Sequence, residues 1–210
     1  SQEAPEEVYT YDLPPRSVVE RARVMGAQGV AYAYVEPAVF FEYMRDTARE
    51  ARAAGLANVI HTNGYIQGEP LRSLCPDLDA VQVDLKSFDD AFYRKLCQGR
   101  LAPVLDTLKT LREEGVHVEM TNLVIPGKND GMAGIRAMCR WIAAHLGPDT
   151  PVHFARFYPL YRLTRLTPTP VRTLEQARSE ARACGLRYVY IANVPDHEAW
   201  NTFCPKCRRR

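Results

Sequence analysis

The feature that most constrains this 210-residue sequence is a single unit used five times. An apolar-periodic helix ends near a glycine, and a short run rich in Val, Ile and Tyr follows almost at once. The copies read "RARVMGAQGVAYAY", "REARAAGLANVIHTN", "LREEGVHVEMTNLVI", "IAAHLGPDTPVHFARF" and "EARACGLRYVYIANV". Glycine suits the left-handed position that closes a helix, because any Cβ is strained there. The runs that follow have the residues that fit a pleated strand. A sixth run, "AVQVDLK", follows "CPDLD". Helical spacing is plain in between: Leu101, Val104, Leu108 and Leu111 share one face, as do Ile135, Met138, Ile142 and Leu146. Ser17 with Glu20 and Thr173 with Gln176 have the spacing of capping boxes, which predicts helix starts at both serine and threonine.

Strand–helix alternation with short connections implies parallel strands joined by right-handed crossovers. Six such units fit a doubly wound sheet or part of a barrel. The strands favour the barrel, because they alternate instead of reading as solid apolar runs. Gln82, Asp84 and Lys86 share a face, as do Arg156 and Tyr158, and Tyr32, Tyr34 and Glu36. A strand between two helix layers would be apolar on both faces. The expected architecture is an α/β partial (β/α) TIM-like barrel of about six parallel strands over residues 1–195, with a tail over 196–210.

Composition sets the outer bounds. Hydrophobic residues are 46% and charged residues 25%, an ordinary globular balance. A net charge of +2 makes no case for nucleic acid. No apolar run approaches the roughly 18 residues that span a bilayer. The opening "SQEAPEEVYTYDLPPRS" has no apolar stretch, so no secretory leader is expected. Cys75, Cys97, Cys139 and Cys184 are scattered along apparent helices as buried residues would be, and only Cys204 and Cys207 are close. That pattern predicts a reducing, cytoplasmic setting.

In parallel α/β folds the working residues gather at the C-terminal strand ends. Those ends supply Glu36, then Thr62 and Asn63, then Asp84 and Lys86. Thr121 and Asn122, Arg156 with Tyr158, and Asn193, Asp196 and His197 follow. A polar ligand carrying both charges would suit such a rim; solvated strand ends would look the same residue by residue. Asp84 and Lys86 could hold an ammonium and a carboxylate, or simply each other. His61, His117 and His153 read as structural histidines of strands.

The ordered series "YAYVEPAVFFEYMRDTAREARAAGL", "HTNGYIQGEPL", "VDLKSFDDAFYRKLCQGRLAPVLDTL", "TNLVIPGKND", "HFARFYP" and "YIANVPDHEAWNTFCPKC" resembles one family over nearly the whole chain. It is similar to the radical S-adenosylmethionine enzymes of the AmmeMemoRadiSam type, relatives of pyruvate formate-lyase activating enzymes. The resemblance implies S-adenosylmethionine and a 4Fe-4S cluster as cofactors, reductive cleavage to a 5′-deoxyadenosyl radical, and an unidentified substrate, with a protein as one candidate. It implies that Glu36 in "YVEP" holds the methionine ammonium. It also places Asn63, Asp84, Lys86, Thr121 and Tyr158 around the same cofactor.

Three departures accompany the resemblance. The family's C-x-x-x-C-x-x-C loop, which carries the cluster, is not among these 210 residues. The expectation is a chain that starts just after that loop, without the first strand or the cluster ligands, and that by itself does no radical chemistry. Val35 stands where the family usually has Asn, and Tyr158 where it commonly has His. An unpaired edge beside "GVAYAY" leaves room for an interaction-subunit reading, and a cluster-free barrel binding a nucleotide-like or amino-acid-like ligand is the other alternative. Cys204 and Cys207 in "CPKC" make half of a zinc or iron knuckle, with His197 as the nearest third ligand, or else an exposed thiol pair.

Overall fold

A computed structural model describes residues 12–66, 68–207, 209 and 210; the expectations attached to the first eleven residues lie outside them. Six strands form one parallel sheet: β1 (Gly29–Tyr32), β2 (Ala57–Thr62), β3 (Ala80–Asp84), β4 (His117–Val124), β5 (Val152–Arg156) and β6 (Val189–Ala192). The helices are α1 (Pro15–Val24), α2 (Phe41–Ala53), α3 (Gly68–Leu74), the single turn α4 (Asp90–Phe92), α5 (Leu101–Glu113), α6 (Met132–His145) and α7 (Val171–Ala183). All five glycines that close a repeat, Gly26, Gly55, Gly115, Gly147 and Gly185, have positive φ.

Both expected capping boxes are displaced. α1 starts at Pro15 behind Pro14, and α7 starts at Val171 behind Pro170, so Ser17 and Thr173 are each the third helical residue. Their amides already bond to the Pro14 and Pro170 carbonyls, at 2.9 and 3.0 Å. Proline fixes φ near the helical value and has no amide to satisfy, so it carries each helix two residues further upstream.

The strand order is β1-β2-β3-β4-β5-β6 without reversal, and every pair is parallel. A doubly wound sheet needs a reversal in strand order; without one, crossovers of one hand all return on the same face. The sheet is therefore an open partial barrel, with β1 and β6 as its edges. Its helix-covered face supplies Ile60, Val81, Val83, Met120, Phe154 and Ile191, all buried. Each such side chain contributes about 1.5–3 kcal/mol on leaving water. Buried faces of α5 (Val104, Leu108, Leu111) and α6 (Ile135, Met138, Ile142) pack in the same core, as their spacing predicted.

The opposite face is polar and arranged in rows by register. His61, Gln82 and Glu119 are aligned across β2 to β4; one step further, Asp84, Thr121, His153 and Tyr190 cross β3 to β6. One strand-end residue breaks the expected facing: Asn122 is buried beside α6, whereas Thr62, also buried, stays at the strand ends facing Glu36. The first strand is also shorter than "YAYVEP" suggested. β1 stops at Tyr32, whose ring is buried and whose hydroxyl donates to Asn58 Oδ1 at 3.1 Å on the helix side. Tyr34 has a φ of 72° and is fully exposed, so the tyrosines do not fill a common interior face with Glu36. Val35 is exposed as well. Cys97 is exposed rather than buried, whereas Cys75 and Cys139 are buried as expected.

Candidate functional site

The ends of β1, β2 and β3 enclose a cavity of about 670 Å³ lined by Tyr34, Glu36, His61, Asn63, Asp84 and Lys86 among others. Local backbone geometry places the first carboxylate. The left-handed residue Tyr34 turns the chain out of β1, and Pro37 starts a 3₁₀ turn over Pro37–Phe40. Glu36 caps that turn, with Oε1 accepting from the Ala38 amide at 3.3 Å. The same oxygen accepts from the Thr62 hydroxyl at 2.5 Å, and Oε2 accepts from the Asn63 amide at 2.8 Å. The Thr62 hydroxyl, at the wall of the same cavity, is thus spent on Glu36 while accepting from the Gly64 amide.

The loop "TNGY" is tightly held. Asn63 Oδ1 accepts from the Tyr65 amide at 2.8 Å, a side-chain turn of the Asx type. Gly64, at a φ of 74°, passes so close to the core that a Cβ there would lie 2.9 Å from Val83 Cγ1.

Asp84 is the electrostatic centre. Its Oδ1 lies 3.0 Å from His61 Nε2, and its Oδ2 pairs with Lys86 Nζ. Of the two alternatives left by sequence, the mutual ion pair forms, with a histidine added. Burial pushes the Asp84 carboxyl up, but the His61 hydrogen bond and the Lys86 charge outweigh it and hold the group below its usual value of 3.8. The hydrogen bond to Asp84 raises His61 above 6.5 against an opposing effect of burial. A raised histidine stabilises the fold most below pH 6.5, and that contribution is lost as pH rises through the folded-state value. A depressed carboxyl stabilises above pH 3.8, and its share is lost as pH falls through its own value. The pair is thus worth most between those two limits. An NMR titration should show His61 protonating above its ordinary value, and Asp84→Asn should bring it back down; an unchanged midpoint in that variant would reject the coupling.

Four of the six residues expected around a cofactor, Glu36, Asn63, Asp84 and Lys86, thus line one cavity. Thr121 is next to Asp84 in register and accepts from Gln82 Nε2 at 2.8 Å, one strand outside the cavity wall. Tyr158 is elsewhere on the rim. Its ring packs under the Arg156 guanidinium at 5.0 Å, and its hydroxyl accepts from Arg156 and donates to the Asn193 carbonyl. His61, read from sequence as structural, belongs to the cavity. The signal for it was the period-2 spacing that puts it on the polar face two residues before Asn63. His117 and His153 both bond to Glu119, at 3.2 and 2.7 Å.

Cys204 and Cys207 are exposed, unbridged, and beside the Gly185–Arg187 turn that precedes β6, at the opposite end of the strands from the cavity. His197 is not brought to them: its Nδ1 accepts from the Ala199 amide, and its Nε2 lies 3.5 Å from Glu175. Among the described residues no three His, Cys, Asp or Glu side chains are grouped to hold a metal ion.

Known proteins share parts of this sequence and this fold. Residues 2–139 match the Radical SAM superfamily. An uncharacterized protein of Methanocaldococcus jannaschii is 45% identical over 207 residues, covering 99% of this chain and 61% of its own length. The benzylsuccinate synthase activating enzyme of Thauera aromatica is 30% identical over 131 residues, covering 62% of this chain and 40% of its own. The chain thus spans about three fifths or less of these curated relatives. Among solved structures, a domain of pyruvate-formate lyase-activating enzyme from Bacteroides vulgatus superposes with a TM-score of 0.70 at 16% identity, covering 80% of this chain and all of that one. Streptococcus suis SuiB bound to S-adenosylmethionine gives 0.72 at 11% identity, over 95% of this chain and 49% of its own. At such identities these two likenesses speak for the fold alone.

Proposed function

Because the chain belongs to the radical SAM superfamily, we propose that the cavity at the ends of β1, β2 and β3 binds S-adenosylmethionine. The observation that carries this is the pairing of a fixed carboxylate with a charged cluster in one pocket of about 670 Å³, a volume within the range of small-molecule sites. Glu36 Oε2 accepts only the Asn63 amide and keeps capacity for a ligand ammonium. Lys86 has two further donors for a ligand carboxylate, with Asp84 and His61 holding it in place. The exposed Tyr34 ring offers an apolar surface to the rest of the ligand. Thr121 and Tyr158 are proposed as neighbours of the cofactor on the polar face and rim.

The 4Fe-4S cluster of the family supplies the electron that cleaves the sulfonium when it is bound. The cysteines present do not fit it: Cys75 and Cys139 are buried in the packed layer, Cys204 and Cys207 stand at the far end of the strands, and among the described residues neither Cys97 nor Cys184 belongs to a group of three metal-binding side chains. The function proposed for these residues is accordingly to bind and orient S-adenosylmethionine. Within the superfamily the proposed subgroup is the AmmeMemoRadiSam type, which the series of motifs resembles. The names of the activating-enzyme relatives extend the reading, for a whole protein, to a protein substrate. Buried free thiols suit a cytoplasmic setting, and no helix among the described residues is long and apolar enough to cross a membrane.

Calorimetry with S-adenosylmethionine tests the assignment. The wild-type chain should release heat on binding, and Asp84→Ala should weaken binding at least about tenfold, or ~1.4 kcal/mol, by freeing Lys86 and His61 from their anchor. Absence of heat with the wild-type chain, or equal affinity in the variant, would sink it.

A further inference from the structure

The cysteine pair at the opposite end of the sheet has a pocket of its own. Cys204, Arg182, Gly185, Arg187, Phe203 and Pro205 line a cavity of about 250 Å³. Arg187 is engaged by both oxygens of Asp149, each at 3.0 Å. Arg182, in the last turn of α7, makes no ion pair among the described residues, so its charge is available to the cavity. The Cys204 amide donates to the Arg209 carbonyl at 2.8 Å, and the residues between the two cysteines, with Cys207 itself, form a turn. Both thiols are exposed and neither is bridged.

We propose that Cys204 and Cys207 are a reversible dithiol–disulfide couple that exchanges with carboxylate-bearing disulfides seated against Arg182. Cys204 is the attacking sulfur, because it lines the cavity and Cys207 does not. The Cys204 thiolate forms a bond to one sulfur of the substrate, whose S–S bond breaks, and the departing thiolate takes a proton from water. Cys207 then gives up its proton and attacks the Cys204 sulfur, releasing the second thiol. Two protein thiols are oxidised and one external disulfide is reduced to two thiols. Arg182 and the exposed Lys206, Arg209 and Arg210 make the surroundings positive, which selects anionic disulfides over neutral ones.

The experiment uses the full chain with Cys97→Ser, which removes the other exposed thiol, treated with oxidised glutathione after chelation of metals. Peptide mass mapping should find a Cys204–Cys207 disulfide with two hydrogens lost. Adding Cys207→Ser should trap glutathione on Cys204. Adding Arg182→Ala should slow the reaction with oxidised glutathione about tenfold but leave that with uncharged 2-hydroxyethyl disulfide unchanged. The proposal is overturned if the adduct forms on Cys207 instead, or if the chain reacts no faster than a free peptide containing "CPKC". It is also overturned if the reduced chain takes up zinc on the two sulfurs at stoichiometric amounts and is then inert to the disulfide.

Discussion

Alanine in place of Glu36 should lower unfolding stability by about 2–4 kcal/mol and abolish binding of S-adenosylmethionine. The carboxylate is the shared acceptor for the Ala38 amide, the Asn63 amide and the Thr62 hydroxyl. Hydrogen bonds to a charged group are worth about 1.5–3 kcal/mol, and a buried group left unpaired adds its desolvation cost. Here the unpaired group is Thr62, which is buried; the two amides sit close enough to the cavity to recover water. Glu36→Gln retains an acceptor for Thr62 and Ala38 but points an amide N–H at the Asn63 amide, so it should lose roughly half as much. Urea unfolding of the three proteins measures this ordering. An alanine variant as stable as wild type would mean that Glu36 does not organise the β1 and β2 ends.

Gly64→Ala is expected to cost about 3 kcal/mol, and a second glycine supplies the control. A left-handed φ alone costs a residue with a Cβ about 1–2 kcal/mol. At Gly64 the added carbon also meets Val83 Cγ1 at 2.9 Å and Val104 Cγ1 at 3.1 Å. Both valines are fully buried and cannot retreat, which adds overpacking of about 1–3 kcal/mol. Gly55 has nearly the same backbone, with a φ of 76°, but a Cβ there has nothing within 4 Å. Gly55→Ala should therefore show the conformational cost alone, about 1 kcal/mol. If the two variants unfold at the same denaturant concentration, the close approach at Gly64 is not what constrains the residue. A shifted Asn63 loop in Gly64→Ala should also weaken ligand binding, whereas Gly55→Ala should leave it unchanged.

The fold was legible because its period is local. Each helix closes at a glycine and each strand shows its alternation within a few residues, so six units could be counted from the sequence. The choice between a barrel and a doubly wound sheet was also legible, from polar residues such as Gln82 and Asp84 on one strand face. What misled was proline acting beyond its own position, and one left-handed residue that is not glycine. Pro15 and Pro170 moved helix starts past Ser17 and Thr173. A left-handed Tyr34, which no residue preference announces, cut β1 short and turned its second tyrosine into solvent. The candidate site was readable in Glu36, Asn63, Asp84 and Lys86, which share a strand-end position. For His61 only the polar-face period was readable; its role depends on Asp84, diagonal to it across the β2–β3 register and 23 residues away in the chain.

The separation of the sheet into a helix-covered face and a polar face has a consequence for how such a chain can change. Neighbouring residues of one strand answer to different demands: Ile60 and Val83 to packing, His61 and Asp84 to whatever occupies the cavity. A substitution at His61 or Asp84 changes the cavity lining without opening a void in the core, while one a single position away disturbs the packing. The scaffold can be retuned in small independent steps, with each strand offering its own site of adjustment. New specificity would then arise on this fold by exchanging polar side chains along two rows, with stability held almost constant.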